Sequence, residues 1–313
     1  MGSSRISFSI CVPTLNAARE WPAFSAALRE QTAEPDMVLI IDSSSDDGTA
    51  ELAEDDGYKV LRIARSDFRH GATRQIAVDQ TRSDLLVFLT QDAVLASPHS
   101  IEHLLRAFDD PAVAAAYGRQ LPRAGAGAIE AHARLFNYPD ESHVSSLEDV
   151  TQRGFKTIFI SNSFAAYRVN LLRAAGGFPA DVNFGEDTVV AALLVLSRLK
   201  IAYVAEAPVF HSHHYSWRDE YRRYRDIGAL HTLHSWMLDR FGGASGEGMR
   251  FLLSQLRFLA RSAPGQIPAA LLSTVCKYAG YQVGRRRELP PGAARAEYIP
   301  FEVRQPEEKT LRR

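Results

Sequence analysis

Cysteine is almost missing: the 313 residues include only Cys11 and Cys276, one expected in a strand and the other in a helix. A disulfide framework is therefore not expected, and a reducing cytoplasm fits the composition. Long apolar runs are missing too. No stretch approaches the roughly 20 residues of a membrane-spanning helix, and the apolar segment before Pro13 in "MGSSRISFSICVP" is too short for a signal peptide. Charge of one sign is not in excess, with 36 Lys and Arg against 37 Asp and Glu and a formal net charge of −1. No global field would gather nucleic acid, although basic residues cluster at Arg218–Arg225 and Arg285–Arg287. The sequence also has no internal repeat, no G-x-G-x-x-G after its first strand, no Walker lysine motif and no G-x-S-x-G elbow. Those absences remove the main support for dinucleotide, P-loop and hydrolase readings.

What is present is ordinary globular composition, 46% hydrophobic and 23% charged, with room for one large core or two smaller ones. In the first third, short β-rich runs at Ser7–Val12, Met37–Asp42, Lys59–Ile63 and Asp84–Thr90 alternate with stretches of helical spacing. That alternation predicts an α/β fold around a parallel sheet with helices on both faces. Ser45 or Asp46 is expected to open one helix, and Ser97 to cap another with Pro98 at its first position. Further on, "TIFISNSFAAYRVNLLRAAGGF" predicts a strand and a short helix. "FGEDTVVAALLVLSRLKIAYV" predicts a helix opened by two acids, then a strand.

In an open parallel sheet the ligand crevice lies beyond the carboxyl ends of the strands. The residues there are Pro13, Thr14 and Asn16, then Asp42 to Ser45, Asp67 to Arg74 with His70 between them, and Gln91 to Ala93. All four segments are short and polar, as a nucleotide pocket requires; each taken alone also suits a turn. Asp92 follows a strand buried on both faces, where a carboxylate can hold a divalent cation beside a diphosphate. Arg74 is expected to enter the crevice from the first turn of its helix and to favour phosphate. Glu186 and Asp187 open a helix whose dipole would keep them ionised, so that one can accept a proton; serving the helix N-terminus is the plainer alternative. In "HSHHYS", His211 and His213 fall on one side of an extended segment, and His211, or else His213, is a candidate metal ligand.

The motifs "SICVPTLNAA", "LIIDSSSDDGT", "DFRHGATR", "VFLTQDA" and "GEDTVVA" together resemble the successive motifs of family 2 glycosyltransferases of the GT-A fold. "DFRHGATR" with "TQDA" is similar to the bacterial rhamnosyltransferase branch. The resemblance covers roughly residues 5–215 and implies a mixed, mainly parallel sheet with helices on both faces, and inverting transfer from a nucleotide sugar, with Mg²⁺ or Mn²⁺ as cofactor. It implies that Pro13, Thr14, Asn16, Asp42, Ser43 and Asp67 bind the nucleoside, with His70, Arg74, Gln91 and Asp92 completing the donor site. Asp92 matches the last acid of the family's D-x-D metal motif, and Asp187 the general base of its E-D pair with Glu186. Where many relatives carry an acid two residues before Asp92, this chain has Thr90, which implies weaker intrinsic metal binding.

The reading is therefore a GT-A domain over residues 1–215, with 119–156 as an acceptor lid, a helical region over 216–300 and a disordered tail at 301–313. The donor implied is dTDP-β-L-rhamnose and the acceptor a lipid-linked oligosaccharide of a bacterial surface polysaccharide, O-antigen or exopolysaccharide, at the cytoplasmic face of the inner membrane. A UDP-hexose donor, or a nucleotide-sugar-binding scaffold without turnover, is the alternative. The Arg-terminated C-terminal helices, expected to break at Pro264 and Pro268, suit core packing, a homo-oligomer contact or a peripheral membrane surface.

Overall fold

Leu85–Leu89 is buried at every residue. Leu85, Val87 and Leu89 belong to one apolar cluster and Leu86 and Phe88 to another. Side chains alternate across a strand, so a five-residue apolar run with both parities buried must lie in a sheet covered on both faces. A computed structural model describes residues 6–286 apart from 181, 183, 214 and 244, and it shows such a sheet. The expected tail at 301–313, Arg287 and the rest of the expected C-terminal region lie outside the described residues.

The sheet has nine strands: β1 Phe8–Thr14, β2 Met37–Asp42, β3 Lys59–Arg62, β4 Leu85–Leu89, β5 Val94–Leu95, β6 Val113–Leu121, β7 His143–Ser145, β8 Phe164–Arg168 and β9 Lys200–Phe210. Their order is β3-β2-β1-β4-β8-β6-β9-β5, with β7 paired to β9. The half from β3 to β4 is wholly parallel; β8 runs against both β4 and β6, and β6 and β9 are parallel again. Six strands thus share one direction, and the architecture is the mixed, mainly parallel α/β sheet expected. Helices Trp21–Arg29, Thr49–Asp55 and Ser100–Arg106 lend Trp21, Phe24, Ala53 and Leu104 to one cluster, while His70–Gln80 and Glu186–Leu196 lend Val78 and Val190 to the other.

Two helix starts differ from expectation, each where residues distant in sequence bond the expected first turn. Ser45 Oγ accepts the Asn16 N–H (2.9 Å) and the Asp46 N–H is spent on Asn16 Oδ1 (3.0 Å), so that helix begins later, at Thr49, with Asp47 Oδ1 accepting the Thr49 N–H. Ser97 Oγ does accept the His99 N–H (3.2 Å), but the Gln31 side chain and the Thr32 N–H occupy the carbonyls of Ser97 and Pro98, and the helix starts at Ser100. Residues 119–156 carry helix Ala128–Asn137, β7 and the short helix Val150–Arg153. Past β9, helices Trp217–Leu233, Ser235–Phe241, Ser245–Ser262 and Ile267–Arg285 follow, with the break at Pro264 alone and Pro268 inside the first turn. The first and last of these cross at backbone contact, since a Cβ on Gly280 or Gly284 would meet the Tyr221 or Arg225 carbonyl at 2.3 or 2.0 Å. Among the described residues no helix is long and apolar enough to cross a membrane. Both cysteines are free.

Gly71, in the first turn of His70–Gln80, admits the backbone of Pro179, whose oxygen would lie 1.8 Å from an added Cβ. Gly71→Ala is expected to lower stability by about 1–3 kcal/mol, as overpacking does. Gly265→Ala, with nothing within 4 Å, is expected to leave the melting temperature unchanged; thermal unfolding of the two variants checks both.

Candidate active site

β1 leaves β4 after Cys11 but stays paired with β2 through Thr14. Pro13 lies past the last β4 pairing, so its missing N–H costs no bond on that side. Because β2 and β4 flank β1 on opposite sides, the gap that opens there is the topological switch point of the sheet, where ligands of such folds bind. Gln91 spans the gap: its Oε1 accepts the Leu15 N–H (2.7 Å) and its Nε2 donates to the Leu15 carbonyl (3.0 Å). Asp42 is buried and accepts from Thr14 Oγ1 (3.0 Å) and from the Ser45 N–H (2.9 Å) and hydroxyl (2.6 Å). It holds the β1 and β2 loops together. Ser43 is buried beside it with an unpartnered hydroxyl, Asn16 takes a left-handed φ of 50°, and Asp67 stands exposed on the turn after β3. Thr14, Asn16, Asp42, Ser43 and Gln91 therefore line one edge, with Asp67 at its rim.

Asp92 sits at the end of β4, and the segment leaving β9 brings His211 and His213 to it, each with Nε2 at 3.4 and 3.3 Å from Asp92 Oδ2. The ligand atoms of the three lie within 4.8 Å of one another. Gln120 fixes the state of His211. Its Oε1 accepts from Arg134 (2.5 Å) and its Nε2 donates to Ser161 Oγ (3.0 Å), so the oxygen faces His211 Nδ1 at 2.9 Å and that nitrogen carries the proton. Burial lowers the His211 pKa and takes that of His213 down to about 4. Burial opposes ionisation of Asp92, but the two histidines hold its carboxyl well below the usual carboxylate range. A carboxylate and two imidazole nitrogens around one point form a donor set for a divalent cation, with Gln120 orienting one ligand from behind. Imidazole favours an ion softer than Mg²⁺, so of the two metals expected the set suits Mn²⁺ better. Where the acid is missing at Thr90, His213 offers a further donor atom.

β8 is antiparallel to β4, so the residues before it, not after it, reach the same edge; the Thr90 N–H donates to the Ser163 carbonyl at 3.2 Å. Asn162, one residue before that contact, is thereby brought to the end of β4. Its N–H donates to Asp187 Oδ2 (3.2 Å), its Nδ2 to Glu186 Oε1 (3.0 Å), and its Oδ1 accepts from the buried Tyr167 hydroxyl (2.8 Å). Arg74 completes the group through an ion pair with Glu186 at 3.0 Å, both side chains only 5% exposed. Two expectations need correction here. Arg74 lies in the second turn of its helix, buried, and its charge is spent on Glu186 and the His70 carbonyl (3.2 Å) instead of being offered to phosphate. Glu186 is likewise locked in, so of the pair only Asp187 is partly exposed. Its ionisation is also not secured by the helix dipole: burial, then the neighbouring Glu186, raises the Asp187 pKa to about 6, with Arg74 opposing. His70 is half-buried against Arg74, and burial lowers its pKa.

Asn162, Gln120 and Arg134 were not foreseen from the sequence. Reading the residues after each strand misses the ones before a reversed strand, and the small-residue, loosely patterned stretch from Arg119 hid the end of β6. "ISNSF" before a predicted strand is the signal that would have found Asn162.

The mixed sheet, its switch-point crevice and the Asp-His-His cluster beside it fit a glycosyltransferase of the GT-A fold. The chain belongs to glycosyl transferase family 2, whose sequence profile matches residues 9–176, and it is a glycosyltransferase. It is 44% identical over 285 residues, 90% of this chain and 91% of the relative, to the O-antigen chain rhamnosyltransferase RfbN of Salmonella typhimurium. It is also 44% identical over 287 residues, 91% of each chain, to the O-antigen chain rhamnosyltransferase WbaN of Salmonella anatum. Among solved structures, the mannosyltransferase PcManGT from Pyrobaculum calidifontis, in complex with GDP-Man and Mn²⁺, superposes with a TM-score of 0.56 at 18% identity, covering 88% of this chain and 76% of its own.

Truncating one partner of a buried ion pair leaves the other charge uncompensated, at a cost of about 3–5 kcal/mol. Arg74→Ala is expected to destabilise the protein by that order in denaturant unfolding, and Arg74→Ala combined with Glu186→Leu by less than Arg74→Ala alone.

Proposed function

We propose that this enzyme transfers L-rhamnose from dTDP-β-L-rhamnose to a hydroxyl of a lipid-linked oligosaccharide in O-antigen synthesis, with inversion to an α-L-rhamnoside, in the cytoplasm at the inner membrane face. The sugar and the pathway are supported by the two relatives, alike to this chain over nine-tenths of its length. The chemistry is supported by one observation: a partly exposed carboxylate, Asp187, whose pKa of about 6 suits a base working near neutral pH.

The nucleoside would lie along the edge made by Thr14, Asn16, Asp42 and Ser43, with Asp67 at the rim. Asp187 is held by the Asn162 and Thr188 N–H groups, at 3.2 and 2.8 Å, so its carboxylate is fixed before the acceptor arrives. It accepts the proton of the acceptor hydroxyl as that oxygen bonds to the anomeric carbon. The bond from that carbon to the diphosphate oxygen breaks on the opposite face, and its electron pair leaves with dTDP. A divalent cation held by Asp92, His211 and His213, when bound, would neutralise charge on the departing diphosphate. Glu186, Asn162 and Arg74 do not touch the reacting atoms; they position Asp187 and set its pKa.

Asp187→Asn is expected to lower kcat by about 10²–10⁴-fold, the usual worth of a positioned base, measured as dTDP released. A scaffold without turnover would show no change. The working form is the carboxylate, so wild-type kcat should fall as pH drops through about 6. Glu186→Gln removes a charge that raises this pKa, so the acid limb should move to lower pH. For the cation site, Gln120→Leu frees His211 to turn, and Mn²⁺ binding by calorimetry is expected to weaken by about 10–100-fold, as for other groups that orient a metal ligand.

A further inference from the structure

Helices Ala128–Asn137 and Ser245–Ser262 enclose a groove of about 720 Å³, within the size of small-ligand sites. Its wall joins two chemistries. Leu135, Phe136 and Phe258 make one apolar side, and Leu135 is 45% exposed. Arg257 and Arg261 make the other, one helical turn apart on the same face, where like charges repel. Neither guanidinium has an ion pair or hydrogen bond among the described residues, whereas Arg250 of the same helix is neutralised by Glu247 at 2.5 Å. No acid lines the groove. The floor is fixed: buried His132 lies between Phe251 and Phe258 and its Nε2 meets Ser254 Oγ at 3.0 Å.

Two unneutralised cations call for a doubly charged anion, and the apolar side calls for a hydrocarbon attached to it. The groove is also well placed for an acceptor. Helix Ala128–Asn137 turns His132 and Phe136 toward it, while Arg134, about half a turn round, binds Gln120, which holds His211. At least one helix diameter, about 10–12 Å, therefore separates the groove from the Asp92-His211-His213 cluster.

We propose that this groove holds the phosphorylated end of a lipid acceptor: Arg257 and Arg261 take the phosphate oxygens, and Leu135, Phe136 and Phe258 the first part of the hydrocarbon chain. The inference rests on the lipid-linked acceptor of the proposed function and gives that acceptor a second point of attachment. The test is calorimetric binding of geranyl diphosphate, a soluble phosphorylated hydrocarbon, to the full chain in EDTA with saturating dTDP. Wild type should bind it at least tenfold more tightly than inorganic pyrophosphate, and Arg257→Gln/Arg261→Gln should weaken it at least tenfold while leaving the affinity for dTDP unchanged. The proposal is overturned if geranyl diphosphate does not bind, if the double variant binds it as well as wild type, or if pyrophosphate binds equally well. It is also overturned if vesicles containing phosphatidylglycerol bind through these arginines while geranyl diphosphate does not. Failure of these arms with intact, Asp187-dependent turnover of dTDP-β-L-rhamnose rejects the groove alone; absence of that turnover rejects the functional reading itself.

Discussion

The buried ion pair between Arg74 and Glu186 is the constraint around which the site is assembled. Arg74 comes from the helix that crosses from β3 to β4, and Glu186 from the helix that precedes β9, so the pair joins the parallel half of the sheet to the mixed half. Such a pair is tolerable in an apolar interior only if the remaining hydrogen-bonding capacity is met. Here Asn162 and the His70 carbonyl meet much of it, and Asn162 is held in turn by Tyr167. The same network fixes Asp187, whose pKa is lifted by burial first and by the adjacent acid second. Charge burial that would be a liability elsewhere thus shifts the titration of the candidate base.

A second network runs parallel to it along the edge of the sheet. Gln120 links His211 to Ser161, and Ser161 adjoins Asn162, so the candidate cation site and the candidate base rest on neighbouring residues of one chain segment. Antiparallel β8 makes this possible: it returns residues 161–163 to the edge where β4 delivers Asp92. In a purely parallel sheet those residues would lie at the opposite end. The reversal is thus a functional feature of the topology and not only a variation in strand order.

Much of this was legible in the sequence because it depends on local pattern. The doubly buried β4, the alternation of strands and helices up to Gln80, and the polar residues at strand ends follow from period and turn chemistry, and they led to Asp92 and Asp42; Asp187 was told apart from Glu186 only by the resemblance to family 2 glycosyltransferases. What was not legible depends on direction and distance. Periodicity does not say that β8 runs backward, so Asn162 was missed. Nor does it say that Arg74 and Glu186 meet, so an arginine that pairs with a carboxylate was read as one that awaits phosphate. The helix starts at Thr49 and Ser100 moved for the same reason, since Asn16, Gln31 and Thr32, distant in sequence, bond groups of the turns expected to come first.

The central claim is that the switch-point crevice takes dTDP-β-L-rhamnose with a cation on Asp92, His211 and His213. Calorimetry of dTDP-β-L-rhamnose, UDP-glucose and UDP-galactose, with and without Mn²⁺, on wild type and on Asp92→Ala, tests it most directly. The account predicts that the rhamnose donor binds best, that Mn²⁺ tightens it, and that Asp92→Ala removes the Mn²⁺ effect. Tighter binding of a UDP-hexose, or a Mn²⁺ effect that survives Asp92→Ala, would contradict it.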